Sequence, residues 1–237
     1  MQTQINLKTL NAVALFASKE ETRYYLNGVL IQCRADHVMY VATDGHRMMM
    51  VREEVPQAPK NGERAFNTLL GDFIVPSENC KHKSPKYDYQ NFATLTRDGD
   101  VGLRLALADG SAKVFKPIDG SFPDYVRVIP ESVSGNIEFY RNGKDGERQS
   151  VEFNPDYLVS FKKFGELMGL GLPHIALNGE APAAVLFNAE SILGVIMPMR
   201  GETQNILGQR YSMRLATVLG RPIANGAYSG EMLQAAE

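Results

Sequence analysis

The stretch YVATDGHRMMMV, residues 40–51, sets apolar runs on either side of Thr43-Asp44-Gly45. Asp-Gly between segments with alternating apolar residues is a strong hairpin signal, because the favoured tight turns need positive φ and glycine supplies it without steric cost. Residues 37–42 and 47–51 are therefore read as two antiparallel strands. Upstream, YYLNGVLIQCRA alternates Val29, Ile31 and Cys33 with Leu30, Gln32 and Arg34, which adds a third short strand. Ahead of it, residues 5–18 place Leu7, Leu10, Val13, Ala14 and Ala17 at helical spacing, with Lys8, Asn11 and Ser18 on other faces. The spacing predicts an amphipathic helix followed by strands.

The same turn chemistry recurs at Asp98-Gly99 and Asp109-Gly110, the latter joining VGLRLALA to SAKVFKPI. Residues 76–90 are polar and contain Pro85, so any helix there is short and irregular. After FPDYVRVIPES the chain turns polar through VSGN, which marks a linker near residue 130. Beyond it, IEFYRNG and RQSVEF predict a strand pair turned by NGKDG. Asn154 is then placed to cap a helix, with Pro155 and Asp156 in its first turn and Gly169 as its stop. Residues 172–200 supply three more strand candidates, with Pro198 fitting a strand end rather than a strand centre. The tail to Glu237 contains a candidate helix, TQNILGQRYSMRLATVLG. Helices interspersed with hairpin strands make the fold class α+β with mostly antiparallel sheet.

A chain of 237 residues, 44% of them hydrophobic, can bury a substantial core as one large domain or two ordinary ones. With 25 Lys+Arg against 27 Asp+Glu the net charge is -2, so no global basic field announces nucleic acid, although a local basic surface is compatible with it. Cys33 and Cys80 stand far apart, which fits a reduced, cytoplasmic protein. Cys80 and His82 make a C-x-H without a second pair, so no metal site is expected and no cofactor is implied. The N-terminus lacks the charged and apolar regions of a signal peptide, and no apolar run is long enough to span a membrane.

His46 and Asp44 stand two apart around the turn, so Asp44 is expected to serve the turn's hydrogen bonds rather than an imidazole. A catalytic His46 would also want a nucleophile or metal cluster at diagnostic spacing, and none is present. The chain is read as a non-enzyme, and Thr43–Arg47 as a plain surface hairpin or the wall of a binding pocket. Met48, Met49 and Met50 alternate faces, so at most two share a surface. They fill a core between sheet and helix, or line a surface that accepts varied apolar side chains. Met-bearing VIMPMR, in the second half, is a candidate for the same groove. Lys8, Lys81, Lys83, Lys162 and Lys163 read as solvated surface or as salt-dependent contacts to a DNA backbone. Arg23, with Tyr24 and Tyr25 for stacking on single-stranded bases, joins those DNA-contacting candidates.

Five separated stretches, TRYYLNGVL, VATDGHRMMM, IDGSFPDYVRVIP, VEFNPDYLV and VIMPMR, together resemble the bacterial DNA polymerase III beta-subunit, or beta sliding clamp, family in that family's order. The likeness is to the clamp's middle domain and the later part of its third, over about residues 5–200. It implies a DNA-clamp fold: antiparallel sheets with helices on one face, and domains of two βαβββ units. One full clamp domain is expected at 1–130, a reduced or rearranged one at 131–200, and a C-terminal extension at 201–237. The resemblance implies a processivity factor that encircles duplex DNA without sequence preference and captures polymerase and clamp-loader peptides in a hydrophobic interdomain pocket. The pocket maps onto Leu26, Thr43, Gly45, His46, Arg47, Met48 and Pro130 on one side. It maps onto Asn154, Tyr157, Val185, Val195, Met197, Pro198, Met199 and Arg200 on the other. A methionine at position 48 would broaden partner choice.

The departures are equally specific. No counterpart of the family's first domain is found, the stretch from Pro130 to Val151 is too short for a first βαβββ unit, and 37 residues follow Arg200. Residues 131–237, 107 in all, nevertheless approach the size of a whole domain, with the tail helix in the missing helix's slot. Two domains per chain would then close a six-domain ring as a homotrimer, favoured over the dimer. The other reading is a clamp-derived interaction protein that binds partner peptides and never encircles DNA.

Overall fold

The computed structural model describes residues 1–54, 67–83, 91–100, 102–130, 152–178 and 181–199. The strand pair expected between residues 137 and 153 lies almost wholly outside the described residues, and the tail helix after Arg200 entirely so.

The chain opens with a strand rather than a helix. In β1 (Gln2–Asn6) Thr3 and Ile5 are buried while Gln2 and Gln4 face out, a two-residue period. Asn6 ends the strand and caps α1 (Leu7–Val13), its Oδ1 accepting from the backbone N–H of Lys8 at 3.0 Å and of Thr9 at 3.3 Å. After Val13 the backbone tightens into a 3-10 turn, Ala14–Phe16. The helix expected over residues 5–18 is thus shorter at both ends. Its apolar stripe is right, since Leu7, Leu10 and Val13 are buried, but Ile5 and Asn6 are drawn into pairing with β6 (Phe92–Asp98), with Ile5 opposite Ala93. Tyr24–Leu26, expected within a strand, instead belongs to a second 3-10 segment, Glu21–Leu26.

Strands β2 (Gly28–Cys33), β3 (His37–Thr43) and β4 (Arg47–Glu54) complete a βαβββ unit. A second follows in β5 (Gly71–Pro76), the four-residue α2 (Ser77–Cys80), β6, β7 (Gly102–Leu107) and β8 (Ala112–Phe115). Gly99, with φ 65°, and Gly110, with φ 85°, occupy the two Asp-Gly turns that link β6 to β7 and β7 to β8. The units exchange their opening strands: β1 joins β6-β7-β8, and β5 joins β2-β3-β4.

In the second half, Asn154 caps α3 (Pro155–Met168), its Oδ1 accepting from the Asp156 N–H at 2.9 Å. Gly169 ends that helix at φ 74°, in the left-handed region where glycine carries no Cβ penalty. Then come β9 (His174–Asn178), β10 (Ala181–Leu186) and β11 (Ile192–Ile196). Pro198 falls two residues beyond β11, which lets that strand lie inside a sheet. The larger sheet runs β5-β2-β3-β4-β11-β10-β9, with β4 and β11 antiparallel from Val51 opposite Ile192 to Arg47 opposite Ile196. One hydrogen-bonded sheet therefore spans both halves of the chain.

Its two faces have different covers. Val29, Ile31, Met49, Val51 and Val185 join the cluster containing α1 and α3, where Phe16 meets Phe161 and Phe164 at ring separations of 4.8 and 6.1 Å. Leu30, Val41, Met48, Met50 and Val195 face the other way, beneath Ile118, Phe122, Tyr125, Val128 and Ile129. That covering strap is held by the Ile118 N–H donating to the Ile74 carbonyl at 2.9 Å and the Tyr125 hydroxyl donating to Gln32 Oε1 at 2.6 Å. The three methionines are all core residues, divided between the faces by strand alternation. Burial pushes the Cys33 and Cys80 thiols up to about 12, so both are held as inert thiols. No described helix is long and apolar enough to cross a membrane.

Candidate functional site

The β3–β4 turn is built from its own side chains. Asp44 Oδ1 accepts from the backbone N–H groups of His46 at 2.9 Å and Arg47 at 3.0 Å. Thr43 Oγ1 accepts from Gly45 N–H at 3.0 Å and donates to the Arg47 carbonyl at 2.8 Å. Gly45 takes φ 91°, and a Cβ there would run into the Arg23 guanidinium. With both oxygens of Asp44 turned to the turn and to Arg47, His46 is free to present its ring elsewhere.

The imidazole lies against Tyr157 in the first turn of α3, with ring centroids 5.7 Å apart and planes 25° from parallel. The His46 carbonyl accepts from the Met197 N–H at 2.8 Å, so the turn also holds the segment leaving β11. Met199 continues that segment by bridging to Glu152, its N–H donating to the Glu152 carbonyl at 2.7 Å. Met197 is 37% and Met199 55% exposed, and Pro198 lies between them. Beside the His46–Tyr157 stack, on the α3 side, a cleft of about 510 Å³ is lined by Arg47, Ser160, Lys163 and Lys19. The arrangement is an aromatic pair beside a polar cleft, with the exposed Met197 tied to the same turn through its backbone.

Thr43, Gly45, His46, Arg47, Asn154, Tyr157, Met197, Pro198 and Met199 thus converge at one junction. Four other expected lining residues lie below the surface in this structure. Leu26, Met48 and Val195 are 3%, 2% and 2% exposed, and Val185 is wholly buried. Strand alternation puts Met48 and Val195, which face each other in register, beneath the strap, and puts Val185 under α3 beside Gly194 and Phe161. Pro130 is half-buried at the end of the strap, and Arg200 lies outside the described residues. Ser160 and Phe16, missed from sequence, both contact Arg47; nothing local marks them, since Ser160 is 113 positions away from Arg47.

The DNA-contacting candidates fall into two groups. Lys162 and Lys163 are exposed on α3, and Lys8 is half-buried on α1, which packs against α3. Lys81 and Lys83 are exposed just after α2, where the His82 N–H donates to Asn11 of α1 at 3.2 Å. Arg23 pairs with Glu20 at 2.8 Å, and Tyr24 and Tyr25 meet edge to face at 5.8 Å next to Gly120 of the strap. The second group lies between the β3–β4 turn and the strap, with Arg23 close to Gly45 and its partner Glu20 lining the same cleft as Lys163.

Residues 2–79 match the family model of the DNA polymerase III beta subunit, central domain. The beta sliding clamp of Vibrio cholerae is 32% identical over 220 residues, which cover 84% of this chain and 55% of that protein. That of Escherichia coli K12 is 27% identical over 136 residues, 57% of this chain and 34% of its own length. The chain therefore spans about half the length, or less, of these curated relatives. Among solved structures, a sliding clamp from Bacillus subtilis superposes with a TM-score of 0.61 at 16% identity, over 85% of this chain and 64% of that one. The Bartonella birtlesii clamp bound to griselimycin gives 0.57 at 22% identity, over 84% and 66%. These structures share the fold, and the family model covers the stretch that carries the β3–β4 turn, so residues 2–79 belong with the central domain of the DNA polymerase III beta subunit and the chain is similar to that family's sliding clamps.

Proposed function

We propose that this chain is a non-catalytic DNA sliding clamp, a processivity factor that tethers a polymerase through the junction described above. The observation that carries the reading is the His46–Tyr157 stack beside exposed Met197 and Met199, where residues from both halves meet over one continuous sheet. A polymerase or loader peptide lays apolar side chains on the methionines and the aromatic pair, with Asn154, Thr43, Gly45, Pro130 and Pro198 completing the rim. The buried Leu26, Met48, Val185 and Val195 support that surface from below. Lys8, Lys81, Lys83, Lys162 and Lys163 on the helix-bearing side supply sequence-independent phosphate contacts, with Arg23, Tyr24 and Tyr25 available to a single strand. Domains at 1–130 and 131–200 followed by a helical extension would let three copies close a six-domain ring in the cytoplasm.

The test is topological. Loaded on nicked circular DNA, the full chain is expected to stay bound through a salt wash and to be released when the circle is cut, while light scattering gives the mass of three chains. Release before cutting, with partner-peptide binding intact, would make it an interaction protein that never encircles DNA. A mass of one or two chains would remove the trimer.

A further inference from the structure

Every guanidinium nitrogen of Arg47 donates to an acceptor within the junction. Nε donates to Asp44 Oδ2 at 3.0 Å, Nη1 to Ser160 Oγ and to the Asp156 carbonyl at 3.4 Å, and Nη2 to the Leu15 carbonyl at 3.5 Å. Its Cζ lies 5.0 Å from the Tyr157 ring centroid and 5.5 Å from that of Phe16. The side chain is 14% exposed and its Asp44 partner 16%. Four of its five N–H donors are thus turned to protein acceptors, two of them at the long end of hydrogen-bond range. Its acceptors come from three elements that share no backbone pairing: the β3–β4 turn, the 3-10 turn after α1, and the first two turns of α3.

We infer that Arg47 is a positioning residue, a latch that fastens α3 to the turn and so holds Tyr157 against His46 before any ligand arrives. This rests on the proposed function only in treating that stack as a recognition surface. Arginine suits the task because its planar fork reaches several acceptors in fixed directions while its face lies on an aromatic ring. Lysine carries the charge but has neither the fork nor the plane. Preorganising the stack spares an incoming peptide the ordering cost of assembling it.

The experiment needs no ligand, so its outcome is separate from the topological test. In the full chain, NMR would follow the His46 ring protons, displaced by the ring current of Tyr157, together with hydrogen exchange of the amides in the first two turns of α3. Tyr157→Leu assigns the ring-current part of the shift. Arg47→Met and Arg47→Lys are both expected to move the His46 signals toward those of Tyr157→Leu and to speed exchange in those turns by about tenfold or more, while β2 and β3 stay protected. If Met at 47 prevents folding, Arg47→Lys and Ser160→Ala carry the same reading. Unchanged His46 signals and exchange would overturn the latch, and retention of both in Arg47→Lys alone would replace a fork-dependent latch by simple charge.

Discussion

Glu53, at the far end of β4 from the turn, is a half-buried carboxylate. Its Oε1 accepts from Asn6 Nδ2 at 3.0 Å and from Thr9 Oγ1 at 2.5 Å, tying the sheet to the cap of α1. Burial pushes its carboxyl above the ordinary value of 4.5, and the hydrogen bonds from Thr9, Asn6 and Tyr40 only partly offset that. A carboxyl raised in the fold favours the protonated native state. Its contribution is therefore present in full below 4.5 and is lost as pH rises through the raised value. Glu53→Gln keeps an acceptor oxygen and carries no charge at any pH. Urea unfolding should show the variant gaining on the native protein as pH rises above 4.5 and through the raised value. A difference that is flat or falls with pH would contradict this. At this same scale the three methionines read correctly as alternating. Which face opens to a ligand did not follow from alternation, because the strap that covers Met48 and Met50 comes from residues 118–129.

Between elements, α3 packs closely on β11. A Cβ at Gly194 would lie 2.6 Å from Phe161 Cε1 and 3.0 Å from Val185 Cβ, both fixed in the core. Gly194→Val is expected to destabilise by about 1–3 kcal/mol through overpacking, read as a lower midpoint in denaturant at unchanged slope. A neutral result would mean that α3 can lift from the sheet at little cost. The ends of α3 are legible in the sequence because their chemistry is local: Asn154, Pro155 and Gly169 act on backbone groups within a turn of themselves. The hairpins are legible for the same reason, through Gly45, Gly99 and Gly110. Strand β1 is not, since Ile5 takes its conformation from Ala93, and five residues of a helix-like pattern carry no trace of that partner. The site divides likewise: His46 and Tyr157 are recoverable through family motifs, whereas Ser160 enters only when the chain is folded.

Across the whole molecule, the exchange of opening strands governs how the two βαβββ units depend on each other. Residues 1–54 contain β1 and β2, but β6 and β5, which pair with them, come from the following unit. Cutting the chain between β4 and β5 would leave each piece with bare strand edges and half of a shared core, a condition that favours aggregation. Expressed singly, the pieces are expected to be insoluble. Expressed together, they should copurify through a tag on either one, and a soluble, monomeric first piece would count against the dependence. The exchange acts as a mutual loan between the units: neither can be deleted, duplicated or traded without its neighbour. The smallest part of this fold that recombination can move intact is the pair.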